Sequence, residues 1–212
     1  MTDKPIKYLI NTHSDGDHVN GNRYFPESVT IVAHENCRAE FLHPGRDGSP
    51  SRWNDPALAA FLPEVTFTDE LSLHIGGEEV RLIHFGTGHT TGDIVVHFPA
   101  RGIAFIGDQV RFAGPAYIHS YKGGNSFGHV ANLERMLDRL QVDTFCYGHG
   151  EQIGRSDVES CIRDMKARHG KVRGLMASGM ALEEAKQSFA ENEQNLVETI
   201  WREIAGGRDT GF

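Results

Sequence analysis

Short apolar runs with a two-residue alternation recur through the first two thirds of the chain, and most end in turn formers, a pattern that predicts strands. Residues 6–10 form the first such run and stop at Asn11-Thr12, which makes the polar stretch 13–18 the loop beyond a strand. A short helix or turn over 19–25, a strand over 28–33 and a helix over 34–42 follow. Residues 43–63 mix proline, glycine and polar groups and read as a surface excursion without regular structure. From Val65 the strand pattern dominates, at 65–67, 72–75, 79–84, 94–98 and 103–106, with Gly76-Gly77 as a hairpin turn. Val130, Leu133, Met136, Leu137 and Leu140 then recur at helical spacing, so 129–140 is a helix with one buried face. After a short strand over 144–147, the stretches 157–169 and 182–204 read as helices broken at Gly170, Gly174 and Gly179.

Size and composition narrow this to one α+β domain over 1–212, with the polar strand-end segments at 13–150 and a helical tail at 151–206. No apolar run approaches the roughly 20 residues of a membrane helix, and Met1–Pro5 leads into the first strand without a signal segment, so a soluble, cytoplasmic chain is expected. A formal net charge of −8 excludes a general nucleic-acid binder, which needs clustered Lys and Arg to release counterions. Three cysteines without a CxxC pair indicate neither a disulfide framework nor a thiolate metal knuckle. The 12 histidines are the unusual count.

Several of them stand at strand ends beside Gly or Asp. Asn11-Thr12 precedes His13, Gly88 precedes His89, Gly107 precedes Asp108 and Gly148 precedes His149. Loops at strand ends collect functional groups on one edge of a sheet, and glycine there lets the backbone aim a side chain back across that edge. Imidazole nitrogens and carboxylate oxygens suit zinc and related divalent ions, with a coordination position left for water in a catalytic site.

In this order, His13-Ser14-Asp15-Gly16-Asp17-His18, Gly88-His89-Thr90, Gly107-Asp108 and Gly148-His149-Gly150 resemble the successive metal motifs of the metallo-β-lactamase superfamily. The resemblance implies an αββα sandwich, with His13, Asp15 and His89 for one zinc ion, Asp17, His18 and His149 for a second, and Asp108 between them. It further implies a hydrolase in which metal-bound water or hydroxide attacks a small ester, thioester, lactone or amide, with Asp17 also handling a proton. Such an enzyme takes a small-molecule substrate, needs neither nucleic acid nor membrane, and can form a homo-oligomer. Two departures stand out. The commonest family form has histidine at position 15; an oxygen ligand there also admits iron or manganese. The segment before His13 is short, so the expected sandwich is truncated at its N-terminus. An iron-dependent sulfur dioxygenase-like oxidoreductase and a degenerate, non-catalytic member therefore stay open as alternatives.

Tyr117 and His119, in the loop after Asp108, are candidate substrate-pocket residues. His34, His74, His84 and His97 read as core or surface imidazoles, Cys146 as a small buried hydrophobe, and Gly123-Gly124-Asn125 as a turn.

Overall fold

The computed structural model describes residues 3–209. The chain opens with β1 (Tyr8–Ile10), β2 (Thr30–His34) and β3 (Val65–Phe67), which form a parallel sheet in the order β1-β2-β3. Between them lie the short α1 (Gly16–Val19) and α2 (Glu35–Phe41). The second sheet runs β4 (Glu70–Ile75), β5 (Glu78–Ile83), β6 (Val95–Phe98), β7 (Ile103–Gly107), β8 (Thr144–Tyr147) and β9 (Gln152–Ile153), side by side in that order. Its strands are antiparallel neighbours except β7 and β8, which are parallel. A parallel pair needs a crossover; α3 (Ser126–Arg139) supplies it.

Strand alternation sorts the apolar residues into layers. Val32, Val80, Leu82, Ile94 and Val96 pack between the two sheets. Ala33, Cys37, Phe41 and Trp53 form a core under α2. On the far side of the larger sheet, Ile83, Val95, Ala104, Ile106 and Phe145 meet Val130, Leu133, Met136 and Leu137 of α3. The result is the helix–sheet–sheet–helix layering of an αββα sandwich. One strand, β1, precedes His13 among the described residues.

Two sequence expectations are corrected. Residues 43–63 are not structureless: 3₁₀ turns at Arg52–Asn54 and Pro56–Phe61 bury Trp53 and lay Leu58 and Phe61 on the core under α2. Nor do Gly170 and Gly174 break the tail, because α4 runs unbroken over Arg155–Ala177. Each helical glycine costs about 1 kcal/mol, but Val158, Ile162, Met165, His169 and Val172 bury one face of α4, and that packing outweighs the propensity. The helix stops at Ser178 and the chain turns at Gly179 into α5 (Leu182–Gln187) and α6 (Gln194–Ala205).

No helix among the described residues is long and apolar enough to cross a membrane.

Candidate metal centre

The loop after β1 is fixed at both ends before any functional group is placed. Asn11 and Asn22 are buried and exchange a reciprocal pair of amide hydrogen bonds of 3.0 and 2.9 Å, closing the segment between them. Within it, the Asp15 carbonyl accepts from the backbone N–H of His18 and Val19, starting α1, so Asp15, Asp17 and His18 project from one tight turn. His13 faces inward, its Nδ1 3.1 Å from Thr12 Oγ1. His89 enters on the loop between β5 and β6; its Nδ1–H donates to the Tyr117 carbonyl, which leaves Nε2 pointing at the cluster. Beneath it, buried Asp93 accepts from the backbone N–H and hydroxyl of Thr90. Burial pushes the Asp93 carboxyl up to about 6.

Asp108 leaves the end of β7 through Gly107, whose φ of 54° lies in the left-handed region that favours glycine. His149 follows β8, and Gly148 N–H donates to the Gly107 carbonyl at 2.9 Å, pinning the two strand ends together. A side chain at 148 would run into Asp108 Oδ1 and the His18 ring. Gly148→Ala is therefore expected to displace both groups at a cost of about 1–3 kcal/mol and to weaken zinc binding several-fold or more while the far-UV circular dichroism stays unchanged; a zinc titration checks it.

The seven side chains singled out from the motifs form three overlapping groups: His13, Asp15 and His89; His13, His18 and Asp108; Asp17, His18 and His149. His18 Nε2 lies 3.1 Å from Asp108 Oδ1, and His149 Nε2 lies 3.0 Å from Asp108 Oδ2 and 3.2 Å from Asp17 Oδ2. The two imidazole nitrogens Nε2 of His18 and His149 face each other at 3.4 Å. His13 Nε2 is buried without a hydrogen-bond partner. Imidazole nitrogens and carboxylate oxygens that converge in this way are the donor set a divalent metal takes, so His18, His149, Asp17 and Asp108 could hold one.

The titration of these groups follows the same charges. Burial alone would raise Asp108, but the hydrogen bond from His18 and the charges of His13 and His18 bring it down to about 2. Burial would lower His18, yet Asp108 and Asp17 raise it. His89 rises to about 9 because Asp15 and Asp93 outweigh its desolvation. His13 goes the other way, through burial and the neighbouring His89 and His18.

Asp15 is engaged differently from the other acids. Its Oδ1 accepts from Lys122 Nζ at 2.8 Å, and its Oδ2 accepts from His119 Nε2 at 2.6 Å. Burial would raise its carboxyl, but the hydrogen bonds from His119 and His89 hold it far below the usual carboxylate range. His119 is buried behind Asp15, whereas Tyr117 is partly exposed and lines the cleft over the ligands. That cleft, about 390 Å³, is floored by Asp15, Asp17, Asp108 and His149 and walled by Phe112, Tyr117 and Tyr147, with Arg111 at its side. A larger cavity of about 510 Å³ shares Arg111 and Tyr117 but touches none of the seven groups, so the chemistry belongs to the smaller one. Sequence reasoning missed Lys122, Arg111 and Phe112, which no local motif marks.

The family model for the metallo-beta-lactamase superfamily matches residues 1–149. The chain belongs to the metallo-β-lactamase superfamily. Its fold is similar to that of a metallo-beta-lactamase from Pontibacter korlensis, with a TM-score of 0.58 and 20% identity over 76% of this chain and 71% of that one. It is also similar to the VMB-1 structure, with a TM-score of 0.59 and 15% identity over 77% of this chain and 68% of that one. Among curated proteins, it is 28% identical over 158 residues to the 2,4-dinitroanisole O-demethylase subunit alpha of Nocardioides sp. strain JS1661, covering 74% of this chain and 44% of that protein. The chain thus spans less than half the length of that relative. With the superfamily established, the three His and Asp groups are side chains that could hold divalent metal.

Proposed function

We propose that this superfamily member is a metal-dependent hydrolase of a small ester, thioester, lactone or amide whose aryl portion lies against Phe112, Tyr117 and Tyr147. The observation that carries this reading is the set of Asp17, His18 and His149, with Asp108 3.1 Å from His18 and 3.0 Å from His149, beside a cleft of about 390 Å³ that Asp17, Asp108 and His149 floor and those aromatic side chains wall. A divalent ion bound there brings water toward a pKa of about 7 and polarises the substrate oxygen. The chain's own residues do the rest. His18, His149 and Asp108 would hold the ion. Asp17, the most exposed of the cluster's acids at 59%, reaches the cleft and can take a proton from water or pass one to a leaving group. Phe112 and Tyr147, with ring centroids 5.3 Å apart, present an apolar wall that orients a ring and excludes water.

Arg111 sets the preference. Among the described residues its guanidinium has no carboxylate partner, and it stands at the edge of an otherwise acidic cleft. It suits a carboxylate, a nitro group or the phenolate charge that develops on a leaving aryl oxygen. Arg111→Ala is expected to raise KM about tenfold for substrates bearing such a group, with a smaller change for neutral ones; steady-state kinetics on matched substrate pairs reads the difference.

A second reading is hydrolysis of an electron-poor aryl methyl ether. It is favoured by the aromatic wall together with the similarity to a protein named as a demethylase of 2,4-dinitroanisole. One panel tests both: metal-loaded protein is assayed on nitrophenyl esters, thioesters, lactones, anilides, β-lactams and 2,4-dinitroanisole. Turnover that disappears with a chelator and returns with zinc, manganese or iron is the expected result. Metal-independent turnover, or none on any of these substrates, would overturn the reading.

A further inference from the structure

Lys122 is held in a network of its own. Its side chain is 9% exposed, and its ammonium donates to Asp15 Oδ1 at 2.8 Å and to Ser14 Oγ at 2.9 Å. Ser14 in turn donates to Glu40, whose other oxygen accepts from the Thr91 backbone N–H at 2.8 Å. Lys122 is therefore matched directly by Asp15 and, through one hydroxyl, by the buried Glu40. The loop that carries it is stitched to the His89 loop: His119 N–H donates to the His89 carbonyl at 2.9 Å and Asn125 N–H to the Gly88 carbonyl at 2.9 Å. The ammonium is thus held beside Asp15 by its two hydrogen bonds on a loop that is itself tied to the His89 loop.

We propose that Lys122 is the resident cation of the His13, Asp15 and His89 group, so that Asp15 serves Lys122 and the centre holds one divalent ion, at Asp17, His18, His149 and Asp108. This rests on the metal-dependent reading above. The charge count supports it. The first group has one carboxylate, Asp15, and Lys122 cancels its charge; the carboxylate's second oxygen is already occupied by His119. The second group has the charges of Asp17 and Asp108, and neither has a Lys or Arg partner among the described residues. A divalent ion gains from the second set and is repelled at the first by an ammonium only one carboxylate away. Lys122 also supplies, one carboxylate behind the cleft floor at Asp15, a positive charge in place of the one another ion would bring.

The test is metal content rather than activity. The full chain and its variants are dialysed against zinc, zinc per chain is counted by elemental analysis, and circular dichroism checks that each variant is folded. One ion per chain is expected, retained in His89→Ala and lost in His149→Ala, with a second ion taken up when Lys122→Met is combined with Asp15→His. Two ions in the unaltered chain would overturn the proposal and leave the metal-dependent reading standing, as would loss of zinc in folded His89→Ala as complete as in His149→Ala. No ion in the unaltered chain would overturn both. The count on the unaltered chain decides even if a variant fails to fold.

Discussion

Asp108→Ala is expected to bind zinc roughly 10²- to 4 × 10³-fold more weakly and to lose metal-dependent turnover to at least a comparable extent. Among the described residues, Asp108 is the one acid within 3.1 Å of His18 and within 3.0 Å of His149, each through a different oxygen. Its carboxyl lies at about 2, so it is ionised throughout the neutral range and contributes a full charge to the site. Removing one partner from a partly buried set of charges costs about 3–5 kcal/mol, and at roughly 1.4 kcal/mol per tenfold the binding constant falls by the factor given. The fold is expected to survive, because the core side chains of β7 are Ala104 and Ile106 and the substitution touches neither. Competition with a chromogenic chelator measures the affinity, and thermal melts of metal-free protein measure the fold. Unchanged zinc affinity would remove Asp108 from the site.

The parts of this molecule that could be read from sequence are those whose cause is local. The strands at 65–67 and 144–147 lie where the alternation and its flanking turns put them, since a strand's side-chain period and its ends are both local properties. β9, only two residues long, has no period to read and was missed. The glycines of α4 misled for a related reason: propensity is local, whereas the buried stripe that outweighs it depends on partners elsewhere in the chain. At the site, the seven candidate ligands announce themselves because each follows a strand and all but His13 have a Gly or Asp neighbour. What surrounds Asp15 does not. Lys122 lies 107 residues from Asp15, and Glu40 lies 51 from Thr91, so only the folded chain joins them. The substitution of Asp for His at position 15 was visible from the start; the ammonium that makes chemical sense of it was not.

A buried knot away from the cleft should make the chain acid-sensitive. Glu203, on α6, accepts from the backbone N–H of Ser126 at 2.9 Å and from the Ser126 hydroxyl, at the start of α3. The serine proton is spent there, so Ser126 Oγ accepts from His169 Nε2–H at 3.0 Å, and His169, on α4, stacks on Phe127 at 3.8 Å. The three helices are thus pinned by one neutral imidazole, which burial, helped by the Arg173 charge, pushes down to about 4. In the unfolded chain the same group returns to about 6.5. Between these values the unfolded state binds a proton that the folded state refuses, so stability is lost as pH falls from 6.5 toward 4. The loss reaches about 2 kcal/mol by pH 5 and about 3 by pH 4. Buried His129, pushed down to about 3 chiefly by burial, acts in the same direction; Glu203, raised by burial, opposes both. Denaturant unfolding with chelator present, at pH 7 and pH 5, isolates His169 through His169→Gln, which keeps a side-chain N–H for Ser126. The stability difference between the two pH values should be about 2 kcal/mol smaller in the variant; equal differences would mean that His169 does not titrate as its burial demands.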